Sequence, residues 1–576
     1  MLKELTIKIA GEAGQGMQTV GFNLCKLFKK CGFHIFANQD YMSRIRGGNN
    51  FFQLRISEAP VYTLRKHSDI IVALDKPSIS IHRETLNAGG VMLIDKKKLN
   101  ITEENSFLDI PMYDIAKNLG NEIFVNSVAY GAIAAMVDVE IGLVVETISD
   151  AFSGKPEDIV AKNVAAAKSG YEFVKKETKN ENFHIKVKNE KESMLINGNE
   201  AIALGAVRAG CKFYSGYPMT PSTSIMNEMS GYSKQFNIVV EQAEDEIAAI
   251  NMAIGASFSG VRSMTATSGG GFCLMVEGIS LSAMTETPVV VVDAQRPAPA
   301  TGFPTRTEQS DLLFVLRAGH GEFAKACFSP GSIEEAFFLT IHAFNLAEKY
   351  QIPVFILTDQ HLADSYRNID IVNQDAARAE RFIIPKELSK EVTNYKRYEL
   401  TDNGISRRAI PSWINDVIYA DSDEHNETGH ITEDASMRVK MVEKRLHKKM
   451  EGLIKEVIKP NSFNLEKAQT ILVGFGSTCG VLREICEAYP DKFGFIHFPQ
   501  VWPLPAESVV KLLEGKNKIL TVENNSTAQL AKLIRLQTGI NIDNSILKFD
   551  GRPFDFDYLI EELNKIDNRA QRTEKK

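Results

Sequence analysis

The sequence predicts a multidomain α/β protein, and three observations carry that expectation. The chain has 576 residues, too many for one core, so three or four domains are expected. Short apolar runs alternate with amphipathic stretches along most of its length, the pattern of strands feeding helices in parallel sheets. Several of those runs end in small-residue or proline-bearing turns that open a helix. In open α/β sheets that is where ligands bind.

Residues 1–178 read as strand–loop–helix units, with strands at Leu5–Ala10 and His34–Ala37, a helix ending at Lys30, and parallel strands at Ile70–Leu74 and Val91–Ile94. The loop Gly11-Glu-Ala-Gly14-Gln-Gly16 offers bare amides and a helix dipole to an anion. Its spacing is GxxGxG rather than GxGxxG, and no lysine follows to make a P-loop. A tight βα turn that needs small residues is an equal reading, and a free-standing nucleotide-dependent dehydrogenase is not supported. Farther on, Arg44-Ile-Arg46-Gly47-Gly48-Asn-Asn sets two cations beside a pair of glycines. That loop suits an anionic substrate or the carboxylates of a neighbouring domain, against the simpler reading of a solvated surface loop. Residues 179–192, dense in Lys, Glu and Asn, mark a linker.

From 193 to 384 the strand–helix alternation repeats and predicts a doubly wound sheet. Strands are expected at Cys211–Tyr214, Ile238–Val240, Ser263–Thr267, Val289–Asp293 and Val354–Thr358. After the first comes Tyr217-Pro218-Met-Thr220-Pro221-Ser-Thr, whose prolines stiffen the turn and start a helix. After the second comes Glu241-Gln-Ala-Glu244-Asp245-Glu246, with a helix expected from Glu244. Acids in a first helical turn complement the dipole, and that accounts for Asp245 and Glu246. A partly desolvated carboxylate on the same rim as Thr220 could hold or donate a proton to a heterocycle. Thr267-Ser268-Gly269-Gly-Gly suits close approach of a cofactor, and Arg296, set among prolines, suits a bidentate grip on a carboxylate. Four strand ends carrying Thr, Glu, Thr-Ser-Gly and Arg make one coherent pocket. Residues 385–465 are an irregular connecting region ending in a basic stretch, Lys440–Lys459, read as a solvated helix face. Residues 466–576 return to the αβ pattern.

Net charge is −7, which gives no electrostatic case for nucleic acid or an anionic membrane. No signal peptide and no bilayer-spanning run is evident. The seven cysteines form no CxxC pair, so neither a disulfide framework nor an iron–sulfur or zinc site is expected. They read as core residues in a reducing cytoplasm. Asp421-Ser-Asp-Glu-His425-Asn-Glu-Thr-Gly-His430 lacks the spacing of a calcium loop, and no metal site is assigned to it.

YPMTPST, EQAEDE, ATSGGG and QRPAPATGFPTRTEQSD together resemble the pyrimidine-binding domain of 2-oxoacid:ferredoxin oxidoreductases, most closely the alpha subunit of the 2-oxoglutarate enzymes. GEAGQG with SRIRGGNN resembles the gamma domain of that family, here fused ahead of the alpha domain. FPQVWPLP and VENNSTAQL resemble its transketolase-type C-terminal domain, and YKRYELTDNGISRRAIP its connecting region. Three positions depart from the family pattern: Ala528 and Ser422 stand where glycine is usual, and TSGGG replaces TSGPG. The resemblance implies three α/β domains in order: gamma-type (1–178), thiamine-diphosphate pyrimidine-binding (193–384) and transketolase C-terminal-like (466–576). It implies thiamine diphosphate as cofactor, with a 2-oxoacid, coenzyme A and ferredoxin as reactants. Glu244 is then expected to meet the ring nitrogen of the aminopyrimidine. Thr220 is expected against substrate and cofactor, and Arg296 at the substrate 1-carboxylate with Thr305 close by. Tyr217, Pro218, Thr267, Ser268 and Gly269 are expected to line the cofactor. Magnesium, the diphosphate site and a [4Fe–4S] cluster are expected on a separate beta subunit, in an alpha–beta heterodimer or a dimer of it. The chain alone would be half a site.

Overall fold

The structure is a computed structural model and describes residues 3–44, 47–102, 107–177, 183–188, 192–373, 377–516 and 518–574. It divides into two compact units, 1–196 with 365–371 and 555–576, and 197–364 with 372–554.

The first unit is built on a mixed sheet: β1 (Glu4–Ala13), β2 (His34–Asp40), β3 (Gly47–Ser57), β4 (Ser68–Ala73), β5 (Leu86–Ile94), β6 (Phe107–Asp109) and β7 (Ser193–Asn197). Its order is β6-β5-β4-β1-β3-β2, followed by the strand Tyr366–Asp370 and then β7. β4 and β5 pair in parallel as expected, whereas β3 runs antiparallel to both β1 and β2. The apolar side of β1 packs with Leu24, Phe28, Val128 and Ile133 of the helices Met17–Lys30 and Val125–Met136.

Two segments differ from the sequence-based division. Tyr366–Asp370, placed by sequence in the second domain, pairs with β2. The C-terminal helix Phe556–Glu574, placed in the third domain, belongs to the first unit, where Arg65 meets Asp557 and stacks on Phe556. Returning strands and terminal helices are fixed by pairing and packing partners distant in sequence, which a local pattern does not contain.

The second unit holds two sheets. The larger contains β8 (Phe213–Gly216), β9 (Val239–Gln242), β10 (Ser263–Thr267), β11 (Val289–Gln295), β12 (Ala326–Phe328) and β13 (Pro353–Asp359). Tyr366–Asp370 is β14 in chain order. β8 to β13 pair in parallel in the order β12-β13-β11-β10-β8-β9, and Gln500–Trp502 adds an antiparallel edge beside β12. The chain steps outward from β8 to β9, then crosses back to β10. The order therefore reverses between β8 and β10, the kind of position at which open α/β sheets bind ligands. A five-stranded sheet formed by Asn461–Phe463, Thr470–Phe475, Phe493–Phe498, Ile519–Glu523 and Asn544–Leu547 shares one apolar core with this domain.

The connecting region docks through buried charge, which corrects the reading of its basic stretch as a solvated face. Lys444 and Lys449 are fully buried, and both ammonium groups meet the buried carboxylate of Glu286. Arg397 donates to the Glu286 carbonyl at 2.6 Å. The lysines beside it hold Glu286 well below the usual carboxylate range against the opposing effect of burial. A buried carboxylate recruits cations, and helical periodicity alone cannot reveal that need.

Candidate functional site

Four loops leave the carboxyl ends of β9, β8, β10 and β11 side by side. In the turn after β8, the Ser222 amide and hydroxyl both donate to the Met219 carbonyl, at 2.9 and 2.7 Å. Asn199 donates to the Pro221 carbonyl at 2.8 Å. Helix Thr223–Phe236 follows, so Pro221 stands just before it. Tyr217 is exposed, and Pro218 and Thr220 are half-buried.

Arg296, leaving β11, donates from Nη1 to the Thr220 carbonyl at 2.7 Å. That bond ties the β8 and β11 loops together across the β10 loop and fixes the guanidinium at the rim. Burial lowers the Arg296 pKa, while Asp311 and Glu246 favour its charge.

The loop after β9 corrects one expectation. The helix runs Glu246–Phe258, not from Glu244, because Asp245 is the N-cap: its backbone is extended and its side chain accepts the Ala248 amide at 2.7 Å. Glu244 is thereby left exposed outside the helix. Glu246, in the first turn, is buried and accepts a long contact from the Thr267 hydroxyl at 3.5 Å. Burial raises the Glu246 pKa, with Thr267 and Arg296 pulling the other way. The buried acid of the three is therefore Glu246. Three acids in a row leave their order of burial undecided in sequence, and the cap decides it.

The glycines after β10 are explained by what they touch. A Cβ on Gly271 would stand 2.0 Å from the Thr267 hydroxyl and 2.4 Å from Glu246 Oε1, and one on Gly269 would stand 2.3 Å from Asp311 Oδ2. At Gly270, where the family motif carries proline, the nearest atom is 3.9 Å away, so that departure leaves the space above the turn free. Ser268 is buried with an unpartnered hydroxyl. Thr305 is buried in the segment between Arg296 and Gln309. Asp293 and Asp311, which sequence reasoning passed over, are buried at the same strand ends. Asp293 closes an apolar run (Val289–Val292), where an acid is the one discordant residue.

Residues of the other motifs make contacts that hold the fold together. Glu523 of VENNSTAQL accepts the amides of Leu530 and Ala531 at 2.8 and 3.1 Å, capping the helix Gln529–Thr538. Gln309 of TEQSD donates to the Phe475 carbonyl at 2.8 Å and accepts the Asn524 amide at 3.1 Å. His425 is buried, with its ring 4.1 Å from that of Tyr398, and its neighbour Glu424 bonds Arg445. Among the described residues, no group of three or more His, Cys, Asp and Glu could hold a metal ion. Five cysteines are buried, while Cys273 is exposed and Cys479 is intermediate.

In the first unit, Gly14 and Gly16 take positive φ values of 93° and 76°, and Gly16 caps the helix Met17–Lys30. They border a cavity of about 330 Å³ that is also lined by Gln39, Asp40, Arg44 and Asn50. Gly11 lies within β1, and Gly47 and Gly48, with φ of 74° and 84°, open β3. Arg46 lies outside the described residues.

Residues 204–444 match the family described as "Pyruvate flavodoxin/ferredoxin oxidoreductase, thiamine diP-bdg", and residues 6–173 match "Pyruvate ferredoxin/flavodoxin oxidoreductase". A 2-oxoacid:ferredoxin oxidoreductase subunit alpha from a Sulfolobus species is 35% identical, over 97% of this chain and 96% of its own length. The 2-oxoglutarate synthase subunit KorA of Methanothermobacter marburgensis is 32% identical over 65% of this chain and 98% of its own. Among solved structures, a 2-oxoglutarate:ferredoxin oxidoreductase from Magnetococcus marinus matches with TM-score 0.90 and 29% identity, covering 98% of this chain and 100% of that one. With a thiamine-diphosphate-binding domain whose strand ends carry a buried glutamate and an anchored arginine, the chain belongs to the family of 2-oxoacid:ferredoxin oxidoreductase alpha subunits.

Proposed function

We propose that this alpha chain supplies the pyrimidine-facing and substrate-facing half of a site that converts 2-oxoglutarate, coenzyme A and oxidised ferredoxin to succinyl-CoA, carbon dioxide and reduced ferredoxin, or runs the reverse. The observation that carries the reading is the arrangement of Glu246, Thr267, Thr220 and Arg296 at the point where the strand order reverses. The choice of 2-oxoglutarate is supported by the Methanothermobacter relative's name and by the Magnetococcus structure, described with 2-oxoglutarate, coenzyme A and succinyl-CoA bound.

The residues present fit the pyrimidine half of thiamine diphosphate. Glu246 is a buried carboxyl whose proton affinity burial raises, and the bare Gly271 backbone packs directly on it while the space beside Gly270 stays open. When bound, thiamine diphosphate supplies the electron sink for loss of the substrate carboxylate. Glu246 would hold a proton for a heterocyclic ring nitrogen. Arg296, fixed by the Thr220 carbonyl, would orient the 1-carboxylate, with Thr305 nearby. Because that carboxylate leaves as carbon dioxide, its grip serves positioning and must not over-stabilise the bound acid. The cavity beside Gly14, Gly16 and Arg44 is assigned to the phosphates of coenzyme A, which backbone amides at a helix start and a cation can hold.

A beta subunit is assigned the diphosphate, the magnesium and the [4Fe–4S] cluster. Tyr217, Ile247, Leu274 and Phe303, all on or beside the site loops, are 41–58% exposed, an apolar rim suited to burial by a partner. We assign the complex to the cytoplasm as a heterodimer or a dimer of heterodimers. Among the described residues no helix is long and apolar enough to cross a membrane.

The test is co-expression with and without the beta subunit, assaying 2-oxoacid- and coenzyme A-dependent reduction of a viologen dye with 2-oxoglutarate, pyruvate and branched-chain acids in parallel. Activity in the isolated chain would defeat the half-site reading. A preference for pyruvate would defeat the substrate assignment alone.

A further inference from the structure

Three residues that the proposed reaction leaves unused meet at the five-stranded sheet of the second unit. His497 lies on the strand Phe493–Phe498, in register with Gly474 on one side and Asn461 on the other. Its imidazole is fully buried, yet neither ring nitrogen completes a hydrogen bond. Buried polar atoms are normally partnered, and a neutral imidazole has one donor and one acceptor to satisfy.

The neighbours of the ring give it a direction. Nδ1 stands 3.8 Å from Glu335 Oε2. Glu335 is itself fixed, because Oε2 accepts the Gly331 amide and Oε1 the Asn461 side-chain amide, each at 2.7 Å. The other ring nitrogen faces Gly331. A Cβ on Gly331 would stand 2.4 Å from His497 Nε2 and 2.5 Å from the Cβ of Cys479. Imidazole and cysteine therefore approach one another across bare backbone, at the nitrogen that Glu335 does not meet.

Cys479 is the second residue of the helix Thr478–Ala488 and is partly exposed. A thiol at a helix N-terminus beside an imidazole ionises below the ordinary value of about 8.5. The buried cysteines differ in kind: burial pushes the Cys31 and Cys211 thiols up to about 12. Burial lowers the His497 pKa, while Glu335 and the Gly476 carbonyl pull the other way. An imidazole held between an acid and a thiol is set to take the thiol proton as the sulfur attacks.

We propose that Cys479, His497 and Glu335 form a reactive-thiol site that is reversibly modified by small disulfides. His497 takes the Cys479 proton, the sulfur attacks one sulfur of the disulfide, and that S–S bond breaks. Cys479 is left oxidised in a mixed disulfide. The other half of the reagent departs reduced and takes the proton from His497. Glu335 acts through the ring and is a positioning residue. None of the three belongs to the loops carrying Glu246, Thr267 and Arg296, so the inference does not depend on the substrate assigned there.

The experiment uses the alpha–beta complex under anaerobic conditions, with oxidised glutathione as the disulfide and peptide mass spectrometry as the readout. A glutathione adduct is expected on the Cys479 peptide, and dithiothreitol should remove it. Alkylation of Cys479 by iodoacetamide, followed against pH beside N-acetylcysteine amide, should reach half its maximal rate about one pH unit or more below the reference thiol. His497→Gln and Glu335→Gln should each move that midpoint back towards the reference and slow adduct formation, the histidine variant by about tenfold or more. Should His497→Gln fail to fold, Glu335→Gln, whose side chain is partly exposed, carries the same comparison. A Cys479 thiol with the midpoint of the reference overturns the proposal. So does an adduct that forms only after denaturation, or a midpoint that neither variant moves.

Discussion

Gly271 packs so closely on Glu246 that a Cβ there would stand 2.4 Å from the Glu246 Oε1. The acid and the bare backbone occupy one small space, and the helix Gly269–Leu274 can approach the rim only as glycine. Gly271→Ala should push the carboxyl out of place. We expect a loss of stability of about 1–3 kcal/mol from overpacking, and a fall in turnover larger than that fraction of unfolded protein explains. Thermal melts and steady-state rates on the same complex separate the two.

Glu246→Gln keeps the shape of the side chain and removes its proton chemistry. Turnover should drop by about 10²–10⁴-fold, the range for a displaced acid–base group, while the complex still assembles on gel filtration. Glu244→Gln, outside the helix and exposed, should leave turnover within about threefold of the unaltered complex. The opposite ranking would return the role to Glu244.

Ala528 sits at φ 50° in the left-handed region as the N-cap of the helix Gln529–Thr538. The family motif carries glycine there, and the backbone shows why: that conformation costs an L-residue about 1–2 kcal/mol. Ala528→Gly should stabilise the chain, less the entropy that glycine adds to the unfolded state, by a net of about 0.5–1 kcal/mol. A higher urea midpoint with unchanged slope is the expected result.

His82 is buried against Phe51 with its ring nitrogen on the Asn49 side chain, and burial together with Lys8 lowers its pKa to about 4. The unfolded chain protonates this histidine near its ordinary value of 6.5, so between those limits the unfolded state binds the extra proton. Stability from this group is complete above pH 6.5 and falls as the pH drops towards 4, at up to about 1.4 kcal/mol per pH unit. Urea midpoints between pH 7 and 4 should fall accordingly, and His82→Gln should flatten that dependence.

Much of the architecture is local enough to read from sequence. The parallel strands expected to end at Thr267, Asp293 and Thr358, and observed to end at Thr267, Gln295 and Asp359, are apolar runs closed by turns, and Thr220, Thr267 and Arg296 stand at or just past strand ends because motif spacing puts them there. Those elements owe their form to hydrophobic period and turn chemistry, which travel with the chain.

Three things were decided only by tertiary structure. Which of three consecutive acids is buried depends on Asp245 taking the cap, a hydrogen bond that a helical pattern leaves open by two residues. The basic stretch at Lys444 and Lys449 was buried by Glu286, more than 150 residues away in sequence. The buried acids Asp293 and Asp311 come within each other's electrostatic reach only because the β11 loop returns to the strand end, where the Asp311 amide bonds Gln295. Turns and periods are short-range properties and are legible one residue after another, whereas burial of charge depends on what the rest of the fold brings alongside.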